Sequence, residues 1–183
     1  MVYCAAQIRW EAFEMFRLFV LACAVATGLA LAGGPAAAQQ PAPTPAYGPP
    51  ITLDQAKRVM AAAELEAAKN TWQVGITILD SGGNLVMFHK IDNAQLSSVE
   101  TSAGKARTAI EFKLPSKALD DAIAAGAAGM RLLALKDITP LQGGLLILVD
   151  GKIVGAIGVS GALSSQDEEV AKAGADALAK PGL

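Results

Sequence analysis

Cysteine and histidine are the rarest chemically active residues of this chain. Its 183 residues include two cysteines, Cys4 and Cys23, and one histidine, His89. Both cysteines lie in an N-terminal segment that we expect to be removed, so the mature chain should have no disulfide and no thiolate nucleophile. A zinc site usually needs three or four protein ligands, mostly His or Cys, and this composition therefore disfavours one.

Charged residues are also scarce, at 17% of the chain, and no stretch concentrates basic side chains. Binding to nucleic acid needs clustered cations that neutralise phosphates, so we expect no nucleic-acid partner. The net charge is −2 while 52% of the residues are hydrophobic. Such a low charge protects weakly against self-association, and we expect a homo-oligomer.

The chain lacks an apolar run long enough to cross a membrane. A spanning helix needs about 20 apolar residues, and the run at 18–31 is shorter. An arginine precedes this run and small residues follow it, which is typical of a secretory signal peptide cleaved after Ala38. We therefore assign residues 1–38 to a signal-peptide region. Acidic side chains make residues 1–14 a poor beginning for such a peptide, which favours Met15 as the true start.

Proline is concentrated directly after this region. Residues 39–50 read QQPAPTPAYGPP and predict an extended linker, because proline disfavours both helix and sheet. The remaining residues, 51–183, have the length of one domain. We expect the mature protein to be periplasmic or secreted, without stable insertion into a membrane.

Hydrophobic periodicity divides the domain into helices and two hairpins. Asp80–Asn84 and Asp150–Gly151 are turn sequences, and the second is typical of a two-residue hairpin. The order helix, hairpin, two or three helices, hairpin, helix predicts an α+β domain, in which helices cover an antiparallel sheet of four or five strands. The predicted helices cover 52–69, 97–114, 116–129 and 165–179, with a further turn at 130–135, and the predicted strands cover 74–79, 85–91, 145–149 and 152–160. Capping boxes are predicted at Thr52/Gln55, Ser97/Glu100 and Ser165/Glu168.

The helix predicted at 97–114 is the element whose sequence suggests chemistry. Polar side chains recur there at i, i+4 and i+7, which places them on one helix face. An apolar set at helical spacing is expected to face the core. The polar set is either a solvated face or a ligand-binding face, and the residues alone leave both open. The polar residues are Thr101, Lys105 and Thr108, and the apolar residues are Val99, Ala103, Ala106 and Ile110.

His89 lies on the second predicted strand. Strand alternation places it on the same face as Leu85, Met87 and Ile91. Imidazole is a common ligand of haem iron, so His89 is a candidate metal ligand. The alternative is a structural histidine on a half-buried strand, bonded to a backbone carbonyl.

Glycines recur at intervals of three in the last predicted strand, at Gly155, Gly158 and Gly161. The spacing differs from that of the dinucleotide-binding fingerprint and of the P-loop. We interpret these glycines as relief of crowding where a helix crosses the strand.

A set of short motifs extends across nearly the whole predicted domain. They are D-x-x-G-N at 80–84, D-N-A at 92–94, K-A-R-T-A at 105–109, F-x-x-P-S at 112–116, the long glycine-rich hairpin at 143–161 and Q-D-E at 166–168. By these motifs, of which the hairpin is the most specific, residues 51–178 resemble the GlcG/HbpS haem-binding family.

The resemblance implies a helix-covered antiparallel sheet that assembles into oligomers, often octamers. It also implies a haem or other tetrapyrrole ligand, with haem sequestered or slowly degraded. The runner-up interpretation is a non-haem module of the same fold that binds a small molecule or supports an assembly.

The resemblance also assigns roles to the polar residues. Lys105 and Arg107 would neutralise haem propionates, while Thr101 and Thr108 would lie near the iron. The iron ligand is predicted to be His89 or Thr108. We slightly favour the helix, because its polar set has three members and His89 stands alone.

Overall fold

The computed structural model describes residues 44–179, so the predicted signal peptide, the Met15 start and the first residues of the predicted linker lie outside the described residues. None of the described helices is long and apolar enough to cross a membrane. The helices are α1 (Leu53–Lys69), α2 (Ser98–Phe112), α3 (Lys117–Ala124) and α4 (Ser164–Ala179), with a 3-10 helix at Gly129–Ala134; the strands are β1 (Gly75–Asp80), β2 (Leu85–Lys90), β3 (Gly144–Val149) and β4 (Lys152–Ser160).

The strands form one antiparallel sheet in the order β2–β1–β4–β3. This confirms the predicted α+β class and element order. Asp150 and Gly151 join β3 to β4 with φ values of 50° and 72°, and a left-handed backbone at both positions is that of a type I′ turn. In the first hairpin Asp80 orders the turn, because its carboxylate accepts hydrogen bonds from the amides of Gly82 and Asn84.

Helices cover both faces of this sheet. The helices α1 and α4 pack together on one face, and α2 lies across the other face over β4, β1 and β3. Ile76 and Ile78 of β1 belong to the core beneath α1 and α4, whereas Leu79 belongs to the core beneath α2. The alternation of side chains along each strand therefore assigns residues to two separate hydrophobic cores.

Helix α2 approaches β4 most closely at Gly158. A Cβ atom at this position would lie 2.0 Å from the carbonyl oxygen of Ser102 and 2.6 Å from the backbone nitrogen of Ala106. Any side chain is therefore excluded, and the interpretation of this glycine as relief for a crossing helix is confirmed.

The buried face of α2 differs from the predicted one. Val99 is 36% exposed, so its predicted place in the core is wrong. Polar residues are buried here because their atoms find partners; the hydroxyl oxygens of Thr77 and Ser102, for example, lie 2.8 Å apart. The capping box at Ser97 is also wrong, since that side chain makes no capping hydrogen bond. The buried residues of α2 are Ser98, Ser102, Lys105, Ala106, Thr108, Ala109 and Ile110.

The other two predicted caps have different outcomes. The capping box of Thr52 and Gln55 at the start of α1 is confirmed. Helix α4 begins at Ser164, and the amide of Leu163 donates to Gln166 Oε1 at 3.1 Å. The capping box predicted at Ser165 is therefore wrong.

The second half of the predicted linker is part of the domain. The amide of Ile153 donates to the carbonyl of Ala46 at 2.9 Å, and the amide of Gly48 donates to the carbonyl of Ile153 at 2.8 Å. The Tyr47 hydroxyl donates to the carbonyl of Ile110 at 2.7 Å. The two backbone bonds pair the segment with the start of β4, and the Tyr47 bond attaches it to α2. The predicted extended linker therefore does not continue to residue 50, because the segment from Ala46 onward is bonded to the domain.

Candidate functional site

Lys105 reaches from α2 past the end of the sheet to α4. Its ammonium donates to Asp167 Oδ2 at 2.7 Å and to the carbonyl of Val159 at 3.0 Å. The side chains of Lys105 and Asp167 are only 2% and 3% exposed. Gly143 makes room for them, because a Cβ there would lie 3.0 Å from Lys105 Nζ.

The Asp167 carboxylate is the counter-charge of this buried lysine. Burial raises the pKa of Asp167, while the Lys105 ammonium and the amides of Ala162 and Gly161 act in the opposite direction. Both hydrogen bonds of the Lys105 ammonium are therefore made to groups inside the fold. The prediction that Lys105 neutralises a haem propionate is corrected, because its ammonium is buried and already paired with the Asp167 carboxylate.

Thr108 is also buried, and its hydroxyl oxygen accepts a hydrogen bond from the amide of Thr139 at 2.8 Å. This bond holds the loop before β3 against α2. Thr108 is therefore not available as an iron ligand in this fold, which corrects the second half of the ligand prediction. Thr101 is half-buried at the border of the buried face.

Arg107 is the exposed member of the predicted set. It lies on the outer surface of α2 and makes no ion pair among residues 44–179. Two grooves meet beside it, with volumes of about 630 and 530 Å³. The first groove is lined by Tyr47, the turn residues 81–84, Leu85, Ile110 and Glu111, and the second by Glu100, Ala103, Gly104, Asp137, Ile138 and Thr139.

His89 lies on the opposite face of the sheet from α2. It pairs with Ile76, whose side chain belongs to the core beneath α1 and α4. Its Nδ1 atom lies 2.6 Å from Oε1 of Glu64 on α1, and the two side chains are 48% and 41% exposed. The ring is thus oriented through one nitrogen, while Nε2 makes no hydrogen bond to a described residue.

A β-bulge in β2 changes which residues share a sheet face with His89. Met87 pairs with Ile78 and shares the face of His89, but Leu85 pairs with Leu79, which faces α2. The extra residue Val86 produces this change of face. The prediction that Leu85 shares a face with His89 is wrong for this reason.

The predicted site residues therefore do not form one site. Thr101, Lys105, Arg107 and Thr108 lie on one side of the sheet and His89 lies on the other. Among the described residues no three His, Cys, Asp or Glu side chains come together as a metal-binding group.

Three residues that the sequence analysis passed over complete these arrangements: Asp167, Glu64 and Tyr47. Asp167 lies within the Q-D-E motif of the resemblance but was not predicted as a site residue. A buried lysine needs a buried counter-charge, but no local pattern shows that Lys105 is buried or names its partner.

The fold and these two surfaces define an α+β domain with a polar α2 surface and a separate histidine surface. The chain belongs to the HbpS-like family, because the family described as haem degrading protein HbpS-like matches residues 51–176. Protein GlcG of Escherichia coli is 37% identical over 110 residues, which are 60% of this chain and 81% of GlcG.

Solved structures show the same architecture. A double mutant of HbpS from Streptomyces reticuli has a TM-score of 0.66 and 29% identity, covering 76% of this chain and 98% of that chain. The PduOC:haem complex has a TM-score of 0.64 and 25% identity, covering 70% of this chain and 94% of that chain. The predicted membership of the GlcG/HbpS-like family is therefore confirmed.

Proposed function

We propose that this protein binds haem and that His89 supplies an iron ligand. Family membership and the likeness to a haem complex support haem as the ligand. The observation in this structure that carries the assignment is the pair of His89 and Glu64. A histidine that ligates a metal commonly gives its other ring N–H to a carboxylate, which fixes the tautomer and raises the basicity of the ligating nitrogen.

The geometry of the pair fits this role. Nδ1 of His89 is held by Glu64 at 2.6 Å, and the ring is 48% exposed, so Nε2 is accessible to a ligand. Met87 lies two residues away on the same face and adds an apolar side chain beside the ring. Haem, when bound, would supply a redox-active iron. The chain itself would supply one oriented nitrogen.

The other face of the sheet does not complete this site within one chain. Lys105 and Thr108 are bonded inside the fold, and Arg107 lies beyond the sheet from His89. The proposal is therefore haem binding for uptake or sequestration. Degradation of haem would also need an open coordination position on the iron and a reductant or peroxide. No described residue supports that further activity, so it is not part of the proposal.

Export is part of the same proposal. The signal-like pattern before Ala38 supports a periplasmic or secreted protein. Intact-mass measurement of the protein secreted by a native-like host should return a chain beginning near Gln39. A retained N-terminus would contradict the proposed export and would leave the proposal of haem binding unaffected.

Titration with hemin tests the binding proposal. The Soret band of the purified protein should shift saturably at a fixed stoichiometry. His89→Ala should weaken binding at least about tenfold, which corresponds to about 1.4 kcal/mol, and change the spectrum towards a weaker-field form. Glu64→Gln should weaken it by about 10-fold, because the orienting carboxylate is lost while the ligand stays.

Two control variants come from the other face. Thr108→Val and Arg107→Ala should leave the Soret spectrum of bound hemin unchanged. Weak and unsaturable binding by the unaltered protein would contradict haem binding altogether. A normal spectrum for His89→Ala together with an altered one for Arg107→Ala would move the site to the α2 surface.

The α2 surface favours a second candidate function. Arg107 makes no ion pair with another described residue and lies between two polar grooves, and an arginine in such a place can hold a small carboxylate. A non-haem protein that captures a small acid would show no saturable hemin shift, while Arg107→Ala would abolish its binding of the acid.

A further inference from the structure

The groove of about 530 Å³ beside α2 is lined by charged side chains of both signs. Glu100 and Arg107 belong to α2, and Asp137 belongs to the loop before β3. All three residues are exposed, and none of them forms an ion pair with another residue within 44–179. Their charges are therefore available to a charged ligand.

The helix sets the separation of two of these charges. Glu100 and Arg107 are seven residues apart, so they lie on the same face of α2 and about 10 Å apart along its axis. Ala103 and Gly104 lie between them on this face and line the groove. The floor between the two charges therefore carries no large side chain.

The wall of the groove is held against α2 by close contacts. The amide of Thr139 donates to the hydroxyl oxygen of Thr108 at 2.8 Å. Gly104 lets the Thr139 side chain approach, because a Cβ at Gly104 would lie 2.1 Å from Thr139 Oγ1. These contacts hold the segment that contains Asp137 and Ile138 in place before a ligand arrives, which lowers the entropic cost of binding.

We propose that this groove binds a diamino acid, with the ligand carboxylate on Arg107 and its two ammonium groups on Glu100 and Asp137. The proposal rests on the small-acid function of the α2 surface and is independent of haem binding at His89. An arginine holds a carboxylate through two parallel N–H···O bonds.

The charges of the groove distinguish a diamino acid from a simple acid. Its two carboxylates and one guanidinium sum to a charge of −1. A simple carboxylate would add to this negative charge, whereas a diamino acid carries one net positive charge at neutral pH and would balance it. Every charged group on both sides then has a partner of opposite sign.

The shape of the groove favours a ligand with a long side chain. Because Glu100 and Arg107 are two helical turns apart, a ligand that reaches both must separate its carboxylate from one of its ammonium groups. Ala103 on the floor and Ile138 on the wall offer apolar contact to the methylene groups between them. L-Lysine has this chemistry.

Calorimetric titration at low ionic strength, without hemin, tests the ligand class. L-Lysine should bind saturably, and L-norleucine, which has the same number of carbons but no side-chain ammonium, should bind about tenfold more weakly. Hexanoate, which has neither ammonium, should bind more weakly still. Equal affinities for lysine and norleucine would overturn the diamino acid and leave the small-acid function standing. Absence of saturable binding for all three ligands would overturn both.

Two variants that each remove one negative charge test the position of the site. Glu100→Gln should lower the affinity for lysine about tenfold and leave that for norleucine unchanged. Glu169→Gln on α4, which packs on the opposite face of the sheet, should change neither affinity. Both side chains are exposed, so the fold should be intact, as circular dichroism verifies. An unchanged preference for lysine in Glu100→Gln, or an equal loss in Glu169→Gln, would overturn the proposal.

Discussion

Two side-chain pairs of nearly equal length lie in opposite surroundings in this protein. Lys105 and Asp167 are 2.7 Å apart and almost fully buried, whereas His89 and Glu64 are 2.6 Å apart and about half exposed. The buried pair uses its donors and acceptors inside the fold and joins α2 to α4. The exposed pair leaves Nε2 of the histidine without a hydrogen bond to any described residue. The distance within a pair therefore does not show whether its polar atoms are accessible to a ligand; burial does.

The energetic difference follows from desolvation. Removing one partner of a buried pair leaves an uncompensated charge and typically costs about 3–5 kcal/mol, whereas an exposed pair is usually worth about 0–1 kcal/mol. The buried pair should thus control stability, and the exposed pair should control ligand binding.

The largest effect is expected for Lys105→Met. It leaves the buried Asp167 carboxylate without its counter-charge and should lower the free energy of unfolding by about 3–5 kcal/mol in a urea titration. The matched control is Lys172→Met on α4, whose exposed pair with Asp176 should contribute less than about 1 kcal/mol.

A second variant separates lost charge from lost packing. Asp167→Asn keeps an oxygen for the amide of Ala162 and removes the charge, so adding it to Lys105→Met should recover much of the stability. If the double variant is no more stable than Lys105→Met, the stranded charge is not the cause.

Gly158→Ala tests the helix crossing that places Lys105 inside. The added methyl group would meet the backbone of α2 at 2.0 Å, so the helix must shift. We expect a loss of about 1–3 kcal/mol in the free energy of unfolding. The control is Gly151→Ala in the hairpin turn, where no atom lies within 4 Å of the new Cβ and any loss comes from the positive φ alone. Equal stability of Gly158→Ala and the unaltered protein would contradict the close crossing.

His89→Ala should behave in the opposite way to Lys105→Met. The free energy of unfolding should change by less than about 1 kcal/mol, because the pair is exposed. Hemin affinity should nevertheless fall about tenfold or more, as measured by Soret titration. A large stability loss with normal hemin binding would reverse the proposed division between the two pairs.

The smallest effect concerns acid sensitivity at the first hairpin. Slight burial would raise the pKa of Asp80, but hydrogen bonds from Asn84 and from the amides of Gly82 and Gly83 outweigh it and hold the pKa below 3.8. The stabilisation is therefore present above 3.8 and is lost as the pH falls through the lower folded-state value. Asp80→Asn should show a smaller loss of stability on acidification, measured by urea titration at neutral pH and below 3.8. An identical acid response would show that other carboxylates dominate.

Much of the architecture could be predicted from local patterns. The strand at Lys152–Ser160, the Asp150–Gly151 turn and the capping box at Thr52 were found where the sequence indicates them. These features depend on backbone conformation and neighbouring residues, which the sequence states directly. The family could also be recognised, since its motifs extend across the whole domain.

The candidate site was harder to predict, because its members depend on partners far away in the chain. Periodicity placed Lys105 and Thr108 on a polar face of α2 and gave no sign that both are buried. The burial of Lys105 depends on Asp167, 62 residues away, and that of Thr108 depends on the amide of Thr139, 31 residues away. Proline content likewise predicted an extended linker through residue 50, although Tyr47 bonds to Ile110, 63 residues away.

The order of the elements, their turns and the family can be predicted from the amino-acid sequence, because hydrophobic period and turn chemistry act over a few residues. Which polar side chains are buried, and on which face of the sheet each one lies, depends on how distant segments pack together. Packing placed His89 on the sheet face of α1, beside Glu64, and the α2 residues on the other face. The physical reason is that burying a charge or a hydroxyl is tolerable only where a distant partner satisfies it, and that partner is supplied by packing.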